Sequence, residues 1–501
     1  MVRDKRKSMK IFYKLTLALA ASMMVVTSAF AGGPMTNTNQ SAHFLRSIAR
    51  GTSLDTDAVY TNPAGVVFMD NGFHIGINDQ MAKQTRTITS SYALFAQGAQ
   101  NNGATTKDFK GEVFSPLIPS LHLAWKHNRW ALMAGIGVNG GGGSLEFSDG
   151  LGSFERQFAI LPSAISQLGG TLGAINPAMA VSVSQYDMNM ELTGKSMTLA
   201  FNVGGAFRIT DWLSIAAQVR VGVTNNSYVG AIDNIKINPT MAAMGLTGQM
   251  MSAADFFNAA GATLGAINPA LAATATQYAA QTKDHILDVK QKGISVSPII
   301  ALAFHKGPWD ASLKYEFKMG TELEIESAPV SAADPIINGI FKDGSTVKAE
   351  TPALLAAAVS RHFGSVKVTA EWHHYFDKDA ENSFSPTIDG NTNEYLMGVE
   401  WAINDRWLVS AGAQRTQLNM IENNYSDMNY SISSWSVGGG LAFLCTDNIR
   451  LNLGVMPTFY ETATSNGSVA LSETVSLPTT DVYKRTSLAW GICLDLKFGR
   501  K

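Results

Sequence analysis

The chain has 501 residues, of which 46% are hydrophobic and only 16% are charged, and its 38 basic side chains nearly balance 40 acidic ones. This composition excludes an intrinsically disordered chain and a strongly basic nucleic-acid-binding protein. Cys445 and Cys493 are the two cysteines, too few for the disulfide framework of a small secreted domain.

Residues 1–31 have the pattern of a secretory signal peptide. Basic residues between Arg3 and Lys10 precede an apolar run from Leu15 to Val26, and Ala29-Phe30-Ala31 supplies small residues for cleavage before Gly32. We therefore expect export and a mature chain that begins near Gly32. No later stretch offers about 18 consecutive apolar residues, so the mature chain is expected either to be soluble or to enter a membrane as a barrel.

Segments that alternate apolar with small or polar residues recur along the chain. In the clearest one, every second residue from Leu488 to Phe498 is apolar. Such alternation is typical of strands whose two faces meet different surroundings. It predicts fourteen strands, near residues 70–88, 116–126, 129–140, 195–209, 212–226, 287–305, 308–326, 351–362, 365–378, 393–404, 406–419, 431–445, 449–462 and 484–498.

Short and long connections alternate between these strands. Six are tight and rich in turn residues, at Lys126–Asn128, Thr210–Asp211, Lys306–Pro308, Phe363–Gly364, Asn404–Asp405 and Thr446–Asn448. Outer-membrane barrels have short periplasmic turns and long external loops. The pattern therefore predicts an all-β fold, a 14-stranded antiparallel transmembrane β-barrel in the bacterial outer membrane with both termini in the periplasm. Tryptophans directly after four of the turns, Trp130, Trp212, Trp309 and Trp407, predict a periplasmic aromatic girdle.

The same alternation predicts which side chains face the lumen. In the segment 366–376 it places Lys367, Glu371 and His373 inside and Trp372 and His374 outside. His373 and His374 thus point to opposite faces, and a metal site shared by them with Asp377 and Asp379 is not expected. No metal or other cofactor is predicted, and no motif indicates an enzyme.

A duplicated segment lies in the two longest predicted loops, about residues 142–194 and 227–286. Thr171–Tyr186 returns as Thr263–Tyr278 with 11 of 16 positions identical. Helical spacing of apolar residues, followed by Asn176-Pro177 and Asn268-Pro269, predicts a helix, a bend and a second helix in each loop, at about 155–186 and 247–278.

These loop helices are rich in apolar residues that could form a ligand-binding groove. The alternative left open is that the two helical hairpins simply pack on each other. The candidate groove residues are Leu161, Ile165, Leu168, Leu172, Ile175 and Met179 in the first copy and Phe257, Leu264, Ile267 and Leu271 in the second.

The segment before the first strand contains Asp57-Ala58-Val59-Tyr60 and Asn62-Pro63-Ala64-Gly65. In this position it resembles the N-terminal signature of the FadL/TodX family, outer-membrane transporters of long-chain fatty acids and other hydrophobic compounds. The resemblance implies a hatch at about residues 32–68 that plugs a barrel of residues 69–501. It also implies capture of ligand in the loop groove and lateral exit at a kinked strand.

Two further sets of residues fit that mechanism. The run Gly140, Gly141, Gly142 and Gly143 ends the third predicted strand and is a candidate for the lateral opening, because glycines weaken a strand and mark bends. Inward-facing Arg220, Arg208, Lys314 and Lys318 are candidates to bind a carboxylate in the lumen, with Arg220 ranked first. Lys314 and Lys318 flank Glu316, so an internal ion pair is expected for at least one of them.

The sequence therefore favours passive uptake of hydrophobic molecules, foremost long-chain fatty acids, across the outer membrane. The expected partners are a hydrophobic small molecule and outer-membrane lipid, not nucleic acid. An aqueous porin and a surface adhesin or structural barrel whose loop hairpins bind a partner protein are the alternatives. The sequence does not distinguish a fatty acid from an aromatic hydrocarbon or another lipid.

Overall fold

The computed structural model describes residues 41–265, 269–383, 389–421, 425–427, 430–471 and 475–499. The predicted signal peptide and residues 32–40 of the predicted hatch lie outside the described residues. Fourteen antiparallel strands form a closed barrel: β1 Gly72–Tyr92, β2 Thr106–His127, β3 Trp130–Phe147, β4 Ser182–Arg208, β5 Leu213–Met241, β6 His285–Lys306, β7 Trp309–Glu316, β8 Leu354–Phe363, β9 Val366–Tyr375, β10 Thr392–Ala402, β11 Trp407–Gln417, β12 Ser434–Thr446, β13 Ile449–Tyr460 and β14 Ser476–Phe498.

The barrel closes because β1 pairs with both β2 and β14. β7 resumes as Glu322–Ser327, and short strands at Leu246–Thr247, Met251–Ser252, Thr346–Lys348 and Ala463–Ala470 extend the sheet. The fourteen predicted strands and the six tight turns are confirmed. Asn128, Gly307 and Gly364 occupy turn positions with φ of 53°, 59° and 61°, a left-handed conformation that Asn and Gly adopt readily.

The outer face of the barrel carries an apolar band. Ile294, Leu117 and Val203 are 69%, 64% and 62% exposed, an arrangement that is costly in water and that suits hydrocarbon. The girdle tryptophans Trp130, Trp212, Trp309 and Trp407 are 38% to 60% exposed, as predicted. In the described ranges, none of the helices is both long and apolar enough to cross a bilayer.

Residues 41–68 lie inside the barrel. Helix α1 (Ala42–Ser47) packs against β10–β14 and β1, and the 3-10 turn Pro63–Phe68, which follows α2 (Ala58–Thr61), packs against β2–β6. This segment, the hatch, spans the lumen from wall to wall at the end of the barrel where the tight turns lie.

Above the apolar band the strands continue further than the sequence indicates. β4 begins at Ser182 and β5 ends at Met241, whereas the expected strand boundaries were 195 and 226, so the expected loops 142–194 and 227–286 were too long. The physical reason is that the outer face of the barrel is polar at this height. Exposed Asn189 and Glu191 alternate with buried Met190, and polar residues on an exposed strand resemble a loop.

The long loops carry the helices α3 (Gly152–Ala159), α4 (Leu161–Ile175), α5 (Ala253–Gly265), α6 (Pro269–Gln281), α7 (Pro329–Ala332) and α8 (Pro335–Ile340). The second predicted helix of the first copy is wrong. The Asn176 side chain accepts from the Ala178 N–H at 3.0 Å as a helix cap does, yet Pro177–Met179 forms only one 3-10 turn before β4 begins. Where the second copy has Ala273 and Ala275, the first has Val181 and Val183, which favours a strand at those two positions. Thr274 and Thr276 in place of Ser182 and Ser184 act in the opposite direction, so the pairing of this segment with β5 is also needed.

Candidate functional site

The described candidate groove residues of the first copy belong to one apolar cluster at the long-loop end of the barrel. Leu161, Ile165, Leu172 and Met179 are buried in it, and Leu168 packs against it. Helix α4 lies directly on the start of β4: a Cβ at Gly169 would stand 1.8 Å from the Val181 carbonyl oxygen. The side chain of Ile175 is not among those described.

The second copy contributes to the same cluster. Phe257 is buried in it and stacks on Tyr278, with ring centroids 4.9 Å apart. Helices α5 and α6 pack on each other at Gly261, where a Cβ would stand 3.3 Å from that of Ala275. Ile267 lies outside the described residues, as do the side chains of Leu264 and Leu271. The structure thus brings the described candidates of both copies together, though α5 and α6 form a helical hairpin and α4 packs on a strand.

The apolar cluster extends from these helices down into the barrel. It includes Phe109 and Leu145, and it reaches Ile118 on β2 and Val138 on β3. Buried apolar side chains therefore connect the loop helices with the wall between β2 and β3.

That wall is interrupted. Pairing between β2 and β3 stops at Val113–Leu145 and resumes at Leu121–Ile136. On the β2 side, Pro116 and Pro119 lack the N–H that a ladder needs. The predicted glycine run lies opposite: Gly141 and Gly142 have φ of 69° and 110°, and the Ser115 hydroxyl donates to the Gly142 carbonyl at 2.9 Å.

A cavity of about 470 Å³ opens at this break, lined by residues that include Phe114, Leu117, Gly142, Gly143 and Met197. Phe114 and Leu117 are exposed on the outer face. A recess lined by both apolar residues and the exposed Lys195, Lys290 and Lys292 therefore lies on the outer wall, beside the end of the internal apolar cluster.

The four candidate lumen cations do not converge on one site. Arg220 is buried and pairs with Glu316, and its Nε donates to Asn202 at 2.8 Å. Lys314 binds the same Glu316 at 2.8 Å and donates to the Tyr60 carbonyl of the hatch at 3.1 Å, so it forms the expected internal ion pair. Arg208 ends β4 at a tight turn, and Lys318 pairs with Glu350 at 2.7 Å rather than with Glu316.

Sequence reasoning missed another pair of lumen cations. Arg86 on β1 and Arg485 on β14 stand directly opposite each other in the strand register, and both are buried. Each lies over an aromatic ring, Arg86 at 5.4 Å from the Tyr430 centroid and Arg485 at 4.5 Å from that of Tyr460. Only the pairing of the first strand with the last brings these residues together, so no local sequence signal could have found them.

The contacts made by the hatch motif Asn62-Pro63-Ala64-Gly65 explain why asparagine and glycine occur in it. The Asn62 side-chain amide donates to the Ser53 carbonyl at 3.0 Å and occupies the space beside Gly65, where a Cβ would stand 2.1 Å from Asn62 Nδ2. The Ala64 carbonyl accepts from the Ser214 hydroxyl of β5 at 2.6 Å. The turn is therefore closed by its own asparagine and attached to the wall.

Buried charges hold the rest of the hatch. Arg50 binds Asp57 at 2.8 Å within the hatch and Glu400 of β10 at 3.0 Å. Arg46 binds the same Glu400 at 2.9 Å. Burial acts to raise the pKa of the Asp57 carboxyl, but the charges of Arg50 and His43 outweigh it and hold that pKa below its ordinary value.

The predicted faces of β9 are confirmed. Lys367 donates to the Thr52 carbonyl of the hatch at 2.9 Å, and Glu371 accepts from the Gly51 N–H at 2.7 Å. His373 hydrogen-bonds to Glu371 at 2.7 Å inside the lumen. His374, on the opposite face, contacts the Asn393 side chain at 2.9 Å.

Solved structures share this architecture. A FadL homologue of Pseudomonas aeruginosa superimposes with a TM-score of 0.58 and 11% identity, over 95% of this chain and 100% of its own. The P. putida toluene transporter TodX superimposes with a TM-score of 0.50 and 12% identity, over 90% of this chain and 97% of its own. No protein-family model and no curated protein matches the sequence. At these identities the comparison confirms the expected FadL/TodX resemblance as a shared fold.

Proposed function

We propose that this protein acts as a FadL/TodX-type transporter in a bacterial outer membrane and passively takes up hydrophobic molecules, foremost long-chain fatty acids. Ligand is captured at the external helices α3–α6. It moves along the apolar cluster into the lumen and leaves sideways between β2 and β3 into the membrane.

The observation that carries this proposal is the continuity of the apolar path. One cluster of buried apolar side chains links Leu161 and Phe257 outside with Ile118 and Val138 beside the wall break. An apolar molecule is stabilised by about 25 cal/mol per Å² of its surface removed from water, and a continuous apolar path preserves that stabilisation as the molecule moves. At the break it meets a recess lined in part by apolar residues.

The hatch argues against an aqueous porin. It contacts the wall on all sides at the periplasmic end, through apolar packing and through the buried charges around Arg50. A straight aqueous channel would have to pass through this segment. The lateral route leaves the hatch in place.

The preference for a fatty acid over a neutral hydrocarbon depends on the lumen cations. Arg86 and Arg485 place two guanidinium groups side by side near buried Tyr430, which belongs to the apolar cluster. A carboxylate binds guanidinium groups through charge-assisted hydrogen bonds. Its alkyl chain would lie along the neighbouring apolar side chains.

The lateral route is tested by closing the wall break with a disulfide. A Cβ at Gly143 would stand 2.6 Å from Ser115 Oγ, so Ser115→Cys with Gly143→Cys places two sulfur atoms within bonding reach. We expect oxidation to lower the initial uptake of radiolabelled oleate by about tenfold or more, because a covalent link across the opening removes the exit, and reduction to restore it. Exposed Cys445 is replaced by Ser throughout.

A matched disulfide controls for rigidity alone. Glu112 and Glu146 pair directly across the same two strands just beyond the break, and Glu112→Cys with Glu146→Cys should leave uptake unchanged after oxidation. Full uptake by the variant with the oxidised Ser115–Gly143 disulfide would rule out the lateral exit.

Parallel measurements with labelled toluene identify the ligand class. Uptake of toluene but not of oleate would show that the cargo is an aromatic hydrocarbon rather than a fatty acid. Transport of neither by the folded barrel would favour the adhesin.

A further inference from the structure

We propose that the hatch and the barrel wall together bind one zinc ion, through His43 of α1 and Cys493 and Asp495 of β14. Cys493 and Asp495 alternate on the inner face of β14, directly beside the hatch helix that carries His43. The site would be assembled only when the hatch is seated, because one ligand comes from the hatch and two from the wall.

The distances between the donor atoms suit a single ion. His43 Nε2 lies 3.0 Å from Asp495 Oδ2, and Cys493 Sγ lies 3.4 Å from Asp495 Oδ1. The three donor groups lie within 4.8 Å of one another. A tetrahedral zinc ion, with bonds of about 2.0 Å to nitrogen and oxygen and 2.3 Å to sulfur, separates its ligand atoms by about 3.3 to 3.5 Å. Side-chain adjustment that brings His43 Nε2 and Cys493 Sγ to this separation around one Asp495 oxygen would complete the site.

The chemistry of the donors selects the metal. An imidazole, a thiolate and a carboxylate form a set that zinc prefers, whereas calcium and magnesium require oxygen ligands alone. A second acidic cluster, His43 with Asp55 and Asp57, is a poorer site, because Arg50 already neutralises both of its carboxylates. Zinc binding would replace the thiol proton of Cys493 and release it to solvent.

Neighbouring groups are placed to orient these ligands. The Thr56 hydroxyl donates to Asp495 at 2.5 Å and the Asn452 amide donates to it at 2.8 Å. His43 is fully buried, and its Nδ1 has no hydrogen-bond partner within the described part of the chain. Outer partners such as Thr56 and Asn452 fix ligand orientation in zinc sites.

An entry path reaches the site from the periplasm. A cavity of about 390 Å³ opens beside the tight turn at Asp447 and Asn448, and its lining extends to Thr56 and Asp495. Water in this cavity would supply the fourth ligand. A zinc ion bound here would cross-link the hatch to β14, so the proposal concerns how the hatch is held and stands whether or not fatty acids are the cargo.

The test uses the full-length, tag-free mature protein, folded in detergent and dialysed against a chelator. Zinc chloride is titrated against a chromophoric competitor, and bound metal is counted by mass spectrometry. We expect one zinc per chain. With cobalt as the probe, a thiolate-to-metal charge-transfer band should appear in the near ultraviolet, which a site without sulfur does not produce.

Matched cysteine variants assign the site. Cys493→Ser should abolish the cobalt band and weaken zinc binding about 100-fold or more, beyond the 10- to 100-fold typical of losing an outer partner. His43→Ala should weaken binding comparably, and Cys445→Ser, on the exposed cysteine, should leave it unchanged. Heat-modifiable migration of each variant confirms a folded barrel. Absence of zinc from the folded wild type, or equal binding by Cys493→Ser, would overturn the proposal.

Discussion

At the scale of single residues, the hatch motif requires that position 65 carry no side chain, because Asn62 packs directly against it. Because a Cβ at position 65 would overlap Asn62 Nδ2, Gly65→Ala must displace the asparagine that closes the turn. We expect a cost of about 1–3 kcal/mol to hatch seating, typical of overpacking. Hydrogen exchange of the hatch amides measures it. Gly170→Ala is the control, since a Cβ there meets no atom within 4 Å; equal effects of the two changes would refute the steric argument.

Arg50 is the second residue on which the hatch depends. Its replacement by Met leaves the buried carboxylate of Asp57 without its guanidinium and weakens the link to Glu400. Removing one partner of a buried ion pair costs about 3–5 kcal/mol. We therefore expect amide hydrogen exchange in the hatch to become at least about 100-fold faster. Lys110→Met, which breaks the exposed pair with Glu112, should change nothing measurable. An unchanged hatch in Arg50→Met would mean that packing alone seats it.

At the scale of elements, the duplicated segment shows how closely balanced helix and strand can be. Two stretches identical at 11 of 16 positions become a strand start and a helix, and their differences include Val181 and Val183 in place of Ala273 and Ala275. Local preference contributes to this outcome, and the ladder between β4 and β5 supplies the rest. The sequence therefore predicted the helices of the second copy and failed on the second helix of the first.

A substitution at the exposed position 273 measures local helix preference separately from strand pairing. Ala273→Val should destabilise α6 by about 0.5 kcal/mol, because valine loses side-chain freedom in a helix, and should speed amide exchange over 269–281 roughly twofold. Ala273→Leu enlarges the side chain at the same exposed site without β-branching and should have a smaller effect. If Leu destabilises α6 as much as Val does, side-chain size rather than β-branching is responsible.

At the scale of the whole molecule, the architecture was predictable because a barrel repeats one local rule fourteen times. Alternation, short turns and tryptophans after turns each act over a few residues. The positions that define the ligand path depend instead on contacts between residues far apart in the sequence. Arg86 meets Arg485, and Arg50 meets Glu400, only after distant segments have been placed in register. The glycine run indicated a bend, but the break in the wall also needs Pro116 and Pro119 on the neighbouring strand, whose role depends on that pairing.

The cargo could leave by either of two routes, through the hatch or through the break between β2 and β3, and a second disulfide distinguishes them. Val59 of the hatch faces β3, where a Cβ at Gly135 would stand 3.4 Å from Val59 Cγ1, so Val59→Cys with Gly135→Cys can form a disulfide that fixes the hatch to the wall. If cargo leaves between β2 and β3, the hatch need not move, and oxidation should leave oleate uptake unchanged. If cargo passes through the hatch, oxidation should stop uptake and reduction should restore it. Comparison with the Ser115–Gly143 link, expected to give the opposite result, therefore assigns the exit to the wall or to the hatch.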